Sequence, residues 1–147
     1  MSRSLAVLLT VTAGCLVGMQ PAVNSRLGKS IGTIQAATVS FVVGTVALAA
    51  LALIVGGGFG GLRNADQAPW WAFIGGLLGA VFVAVAIVAV RTLGASGLTA
   101  AVITGQLAMS VVIDRFGLLG IAKQQISPLR IAGLVLLAAG VALVVRK

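Results

Sequence analysis

Charge divides this chain before any other property does. No charged residue lies between Arg3 and Arg26, between Lys29 and Arg63, between Arg91 and Asp114, or between Arg130 and Arg146. Between Asp66 and Arg91, the stretch from Trp70 to Val90 is apolar throughout. A bilayer-spanning helix needs roughly 20 mainly apolar residues. The pattern predicts five such helices, at about residues 5–24, 33–55, 70–91, 98–116 and 128–145. The expected fold class is an all-α integral membrane protein. One transmembrane domain would cover residues 1–147, with no loop long enough to hold a soluble domain.

The connectors carry turn chemistry. Gly56, Gly57, Gly58, Gly60 and Gly61 break the second apolar run ahead of Arg63, and Pro69 precedes the third helix, where proline is tolerated. Gly94 and Gly97 flank the third turn. Ser127-Pro128 reads as an N-cap followed by an N1 proline. Trp70 and Trp71 stand where interfacial tryptophans are expected. The first apolar run, with Arg3 before it and Thr12-Ala13-Gly14-Cys15 inside it, bears some likeness to a secretory leader. Thr12 fits that anatomy poorly and everything downstream is also membrane, so the run reads as the first span.

Composition narrows the class further. Apolar residues make up 60% of the chain and charged ones 8%, too few to cover the water-facing surface of a soluble domain. The chain has ten basic residues against two acids, a net charge of +8. In a soluble protein that would suggest nucleic acid; here the charges mark the ends of spans, and no nucleic-acid partner is expected. With no His and no Glu, and with Cys15 alone, the parts for a disulfide framework, a Cys/His metal site or a His-based triad are missing. Neither an enzyme nor a cofactor is expected. Cys15 reads as a small packing residue.

Five spans put the termini on opposite faces. The N-terminal face receives Arg3, Arg63, Arg115, Lys123 and Arg130; the other receives Arg26, Lys29, Arg91, Arg146 and Lys147. Orientation follows Lys/Arg bias, and this count has none. The balance suggests dual topology, in which one chain inserts both ways and opposed copies pair. A single dominant loop giving one orientation is the alternative. Five helices alone enclose little volume, whereas an antiparallel pair would give a ten-helix assembly with inverted symmetry.

Small residues recur at helical spacing: Ala72, Gly76, Ala80 and Ala84 with Gly75 and Gly79 beside them, then Ala36, Ser40 and Gly44, then Gly133 and Gly140. In lipid such faces let backbones approach closely. Polar residues within the spans are few. Gln20 and Asn24 share a helix face, and Pro21 between them removes a backbone hydrogen bond, so it kinks or ends the helix. Thr99, Gln106, Ser110 and Asp114 fall within an arc of about 80° on the fourth helix. These residues have two readings: hydrogen-bonded glue between helices, or groups that meet a substrate. Asp114, followed directly by Arg115, reads either as an interfacial ion pair or loop anchor, or as the one in-membrane carboxylate able to couple transport to protons.

Several motifs together resemble the YdcZ-like (EamA-like) family of the drug/metabolite transporter superfamily. They are Gly18-Met19-Gln20-Pro21-Ala22-Val23-Asn24, Ser40-Phe41-Val42-Val43-Gly44, the run from Trp70 to Gly79, Gly105-Gln106, Ile113-Asp114-Arg115-Phe116-Gly117-Leu118-Leu119-Gly120, Arg130 to Gly133, and Gly140. The resemblance covers essentially the whole chain. It implies a five-helix half of a ten-helix inverted-repeat transporter in the bacterial inner membrane, used as a dimer of identical or paralogous chains. Members move small metabolites or drugs, usually outward. The family commonly has His where this chain has Arg115, which removes a titrating role there. Small multidrug-resistance proteins, by contrast, have four helices and rely on an embedded Glu that this chain lacks.

The resulting expectation is an exporter working by alternating access as an antiparallel homodimer or a heterodimer with a paralogue. Gln20, Asn24, Gln106 and Ser110 would hydrogen-bond a small-molecule substrate, Pro21 would supply a helix kink, and Asp114 and Arg115 would couple or pair. A non-transporting assembly or accessory subunit is the rival class.

Overall fold

A computed structural model describes residues 2–125 and 127–145. Arg146 and Lys147, which enter the charge count above, lie outside the described residues. Among the described residues there are helices and turns and no strand. Helix α1 spans Arg3–Ile31, α2 Thr33–Ile54, α3 Gly75–Phe116 and α4 Pro128–Val145. Two 3-10 segments, Gly60–Gln67 and Trp70–Ile74, lie between α2 and α3. The chain forms two compact units, Met1–Arg91 and Thr92–Lys147.

Three helical stretches are long and apolar enough to cross a bilayer: Arg3–Ile31, Thr33–Ile54 and Trp70–Phe116, with the shorter apolar helix Pro128–Val144 after them. The third contains 47 residues, about 70 Å of helix at 1.5 Å per residue, more than twice the hydrocarbon thickness. Its break is Gly94, whose φ of 71° and ψ of 171° are not helical and belong to a region essentially restricted to glycine. The third and fourth expected spans are thus the two sides of Gly94.

Two expected boundaries shift. The first helix does not stop at Asn24: α1 passes through Pro21 and continues to Ile31. It ends at Gly32 (φ 96°, ψ 156°), which is both its C-cap and the N-cap of α2. A single residue therefore turns the chain between two long helices. Gly32 donates its N–H to the Gly28 carbonyl, and the Gly32 carbonyl accepts from the Ala36 N–H. The third span opens with a 3-10 turn at Trp70 rather than with α-helix. The expected cap at Ser127-Pro128 is present, with Ser127 Oγ accepting from the Arg130 N–H at 3.3 Å.

In the first unit, α1, α2 and the first part of α3 meet on small residues. Ala36, Ala37, Val83 and Ile87 form the buried cluster, with Leu27, Phe82 and Ala84 packed against it. Gly28 is buried, and a Cβ there would lie 3.1 Å from Ile87 and 3.6 Å from Ala36. The α3 contact face runs through Gly79, Val83 and Ile87 with the expected Ala84 packed against it, while a Cβ on Gly76 would meet open space. Most large apolar side chains elsewhere are exposed, from Leu5 through Val144. In a bilayer that surface meets lipid, so close approach and hydrogen bonding, rather than apolar burial, hold the helices together.

Candidate functional site

The hairpin at Gly32 fixes where the polar residues of α1 meet α2. Asn24 and Ser40 are equidistant in sequence from Gly32, and Asn24 Nδ2 donates to Ser40 Oγ at 3.1 Å. Asn24 is buried. One turn toward the N-terminus, Gln20 is exposed and borders an open cavity of about 340 Å3 together with Ser40, Phe41, Thr45, Gly79 and Phe82. Gln20 lies six residues before Arg26, the charge that closes the first apolar run, about 9 Å along the helix axis and hence within the span. Its amide makes no hydrogen bond among the described residues. Pro21 is buried on the side of the same turn that includes Asn24 and Ser25.

The same unit holds a junction that sequence reading missed. Arg91 Nε donates to Ser25 Oγ at 3.0 Å, and Arg91 Nη2 donates to the Ser25 carbonyl at 3.4 Å. A Cβ on Gly28 would sit 3.0 Å from Arg91 Nη2, so the glycine makes room for the guanidinium against α1. By sequence Arg91 counts only as a loop charge. The available signal is its isolation: it ends an apolar run with no acid nearby, and such a cation seeks a carbonyl or hydroxyl.

The second unit holds the other polar residues expected to act. Asp114 Oδ2 pairs with Arg130 Nη1 at 3.0 Å, the one ion pair among the described residues. Arg130 Nη2 also donates to Gln124 Oε1 at 3.1 Å, and the Gln124 N–H donates to the Asp114 carbonyl at 2.8 Å. The partner of Asp114 is therefore Arg130 and not its neighbour Arg115, because adjacent residues on a helix point about 100° apart. Arg115 is exposed. Gly117, with φ 64°, ends α3 in the left-handed conformation typical of a helix stop and starts the loop that these bonds hold.

Ser110 Oγ donates to the Gln106 carbonyl on its own helix at 2.8 Å. Ser110 also lines a cavity of about 430 Å3 with Asp114, Arg130 and Gly133. Thr99 and Gly140 line another, of about 580 Å3, between the same two helices. Gln106 borders neither and is exposed. The candidate residues thus fall into two sets, Gln20 and Asn24 in the first unit, Gln106, Ser110 and Asp114 in the second.

Residues 5–143 match the family described as "Putative inner membrane exporter, YdcZ". The chain belongs to this family. Neither a curated protein nor a solved structure matches it. As a YdcZ family member with several apolar helices of spanning length, the chain is a multi-pass protein of the inner membrane. Among the described residues no group of His, Cys, Asp or Glu could hold a metal ion. The description of the family supports a transporter in general, which is not an enzyme class.

The Asp114–Arg130 pair is solvent-accessible, with the two side chains 23% and 45% exposed, so its worth to stability is about 1 kcal/mol or less. Asp114→Ala is expected to shift the unfolding midpoint only slightly. It should also speed amide exchange at Gln124, whose N–H is bound to the Asp114 carbonyl. Hydrogen–deuterium exchange by mass spectrometry checks this; exchange in residues 117–125 as slow as in the parent chain would show that the pair does not hold the loop.

Proposed function

We propose that this chain exports a small metabolite or drug by alternating access, as an antiparallel dimer of identical chains or with a paralogue, each chain supplying one half of an inverted-repeat assembly. The observation that carries the reading is Gln20. An uncompensated amide within an apolar span is costly unless protein, water or substrate meets it. Here it borders an open cavity between α1, α2 and α3 and makes no hydrogen bond to a neighbouring helix among the described residues. Family membership supports transport in the same direction.

Within this proposal the polar residues take different roles. Gln20 contacts substrate. Asn24, bound to Ser40, holds α1 against α2 and sets the cavity wall. In the second unit, taken by itself, Gln106 offers an exposed amide and Ser110 a hydroxyl already bonded to its own helix. Pro21 leaves the carbonyl one turn earlier without its usual helical donor, a weak point at which α1 can bend. Asp114 anchors the loop through Arg130 and is not required as a proton carrier.

The test is flux in proteoliposomes loaded with labelled neutral, cationic and anionic small molecules, against protein-free vesicles. Protein-dependent efflux of at least one compound, lowered about tenfold by Gln20→Leu, supports the reading. Efflux that persists with a proton gradient and is unchanged by Asp114→Asn supports the anchoring role of Asp114, whereas loss of the proton dependence would return it to coupling. Absence of flux, together with a stably co-purifying larger complex, would favour an accessory subunit instead.

A further inference from the structure

The cavity beside Gln20 also limits what can occupy it. Resting on the transport reading above, we infer that it takes a small, neutral, flat molecule carrying at least one hydrogen-bonding group, and that it discriminates against ions of either sign. The first argument is charge. None of the residues lining the cavity is ionisable. Arg91, the cation nearest along α3, is turned onto Ser25. An ion entering an apolar span without a counter-charge leaves its hydration behind uncompensated, a far larger penalty than a neutral polar group pays when it finds one hydrogen bond.

The second argument is the kind of polar group present. The Gln20 amide offers both donors and an acceptor. Ser40 Oγ accepts the Asn24 N–H, which leaves its own hydrogen free to donate. Thr45 lines the same wall, and unlike Thr38, whose hydroxyl donates to the Ile34 carbonyl, it makes no such bond among the described residues. Two helices thus present three neutral hydrogen-bonding groups to one space.

The third argument is shape. Phe41 and Phe82 both line the cavity. A Cβ on Gly79 would lie 3.2 Å from the edge of the Phe41 ring, so the glycine lets that ring lie close against α3. Ring walls favour a planar guest through offset or edge-on aromatic contact. A volume of about 340 Å3 lies at the small end of ligand pockets, which run from about 300 to 1,000 Å3, and leaves room for a one- or two-ring molecule.

Three probes that share one ring test this: indole, which is neutral, tryptamine, a cation at pH 7, and indole-3-acetate, an anion. Their binding is measured by equilibrium dialysis against nanodiscs holding the full chain, with protein-free nanodiscs as the partition control. The expected result is protein-dependent indole binding at least tenfold tighter than that of either ion. Gln20→Leu and Thr45→Val should each weaken it severalfold while helical circular dichroism stays the same. Tryptamine or indole-3-acetate binding as tightly as indole would overturn the inference. So would indole uptake equal to the protein-free control, or uptake unchanged in both variants. Indole binding without flux would defeat the transport reading and leave this site standing; flux of an ion with no indole binding would do the reverse.

Discussion

Replacing Gly32 by valine is expected to be the most damaging single substitution in the first unit. With φ at 96° and ψ at 156°, Gly32 occupies a region that costs a residue bearing a Cβ about 1–3 kcal/mol, and a β-branched side chain is a genuine outlier there. The added Cβ would also lie 2.5 Å from Gln35 Oε1, although that side chain can swing away. The backbone cannot relax freely, because one residue carries the whole reversal between α1 and α2. Any change of its dihedrals shifts the register that aligns Asn24 with Ser40 and Gln20 with the cavity wall. The expected result is at least a tenfold fall in the folded-to-unfolded ratio, about 1.4 kcal/mol or more. Denaturant titration in detergent, followed by Trp fluorescence and circular dichroism, measures it. Gly14→Ala is the control, since a Cβ there meets open space on a regular helix. Equal stability of the Gly32→Val and Gly14→Ala chains would show that the turn tolerates other geometries and does not fix the register.

How much of this was legible in the sequence follows from what each residue depends on. Local composition makes the apolar runs helical, and the structure has three stretches of spanning length, the third broken at Gly94, with a shorter apolar helix after them; Ser127-Pro128 marked a cap that depends only on its own next turn. The ends of α1 were not legible because two tendencies compete at Pro21. The proline removes one hydrogen bond, yet buried packing of Pro21, Asn24, Ser25 and Gly28 keeps the helix intact for another ten residues. The Asn24–Ser40 bond was half visible: Asn24 reads as polar glue or substrate contact and Ser40 as a small packing residue. What joined them was the single-residue turn at Gly32, a tertiary fact. Arg130 as the partner of Asp114 was hidden for the same reason. The two stand 16 positions apart, across a loop whose path follows from Gly117 and Gln124 rather than from spacing. On α3 several small-residue stripes run side by side, and spacing alone does not show that Gly79 meets the Phe41 ring while Gly76 meets open space.

Insertion of a second orientation is the other large effect expected. The hairpin puts Arg3 and the segment after Ile54, with Arg63, at one end of the first unit, while Arg26, Lys29 and Arg91 gather at the Gly32 end. Neither end outweighs the other enough to direct insertion. A C-terminal fusion of the parent chain is therefore expected to give both cytoplasmic fluorescence and periplasmic phosphatase activity. Gly60 and Gly61 are the natural sites at which to tip the balance, since both are exposed, neither has a positive φ and an added Cβ meets open space at each. Lysines at both positions raise the N-terminal face from five to seven cations. That face should then stay cytoplasmic, giving phosphatase activity with fluorescence largely lost. Arg3→Gln with Arg63→Gln lowers it to three and should do the opposite. If opposed copies form the working unit, each biased chain alone loses most of its flux, and the two expressed together recover it. Pairing of opposed identical chains fails if the parent chain already reports from one side only, or if either biased chain transports fully by itself. In that event the even charge count has no consequence for assembly, and an antiparallel transporter of ten helices would need a paralogue of the opposite orientation.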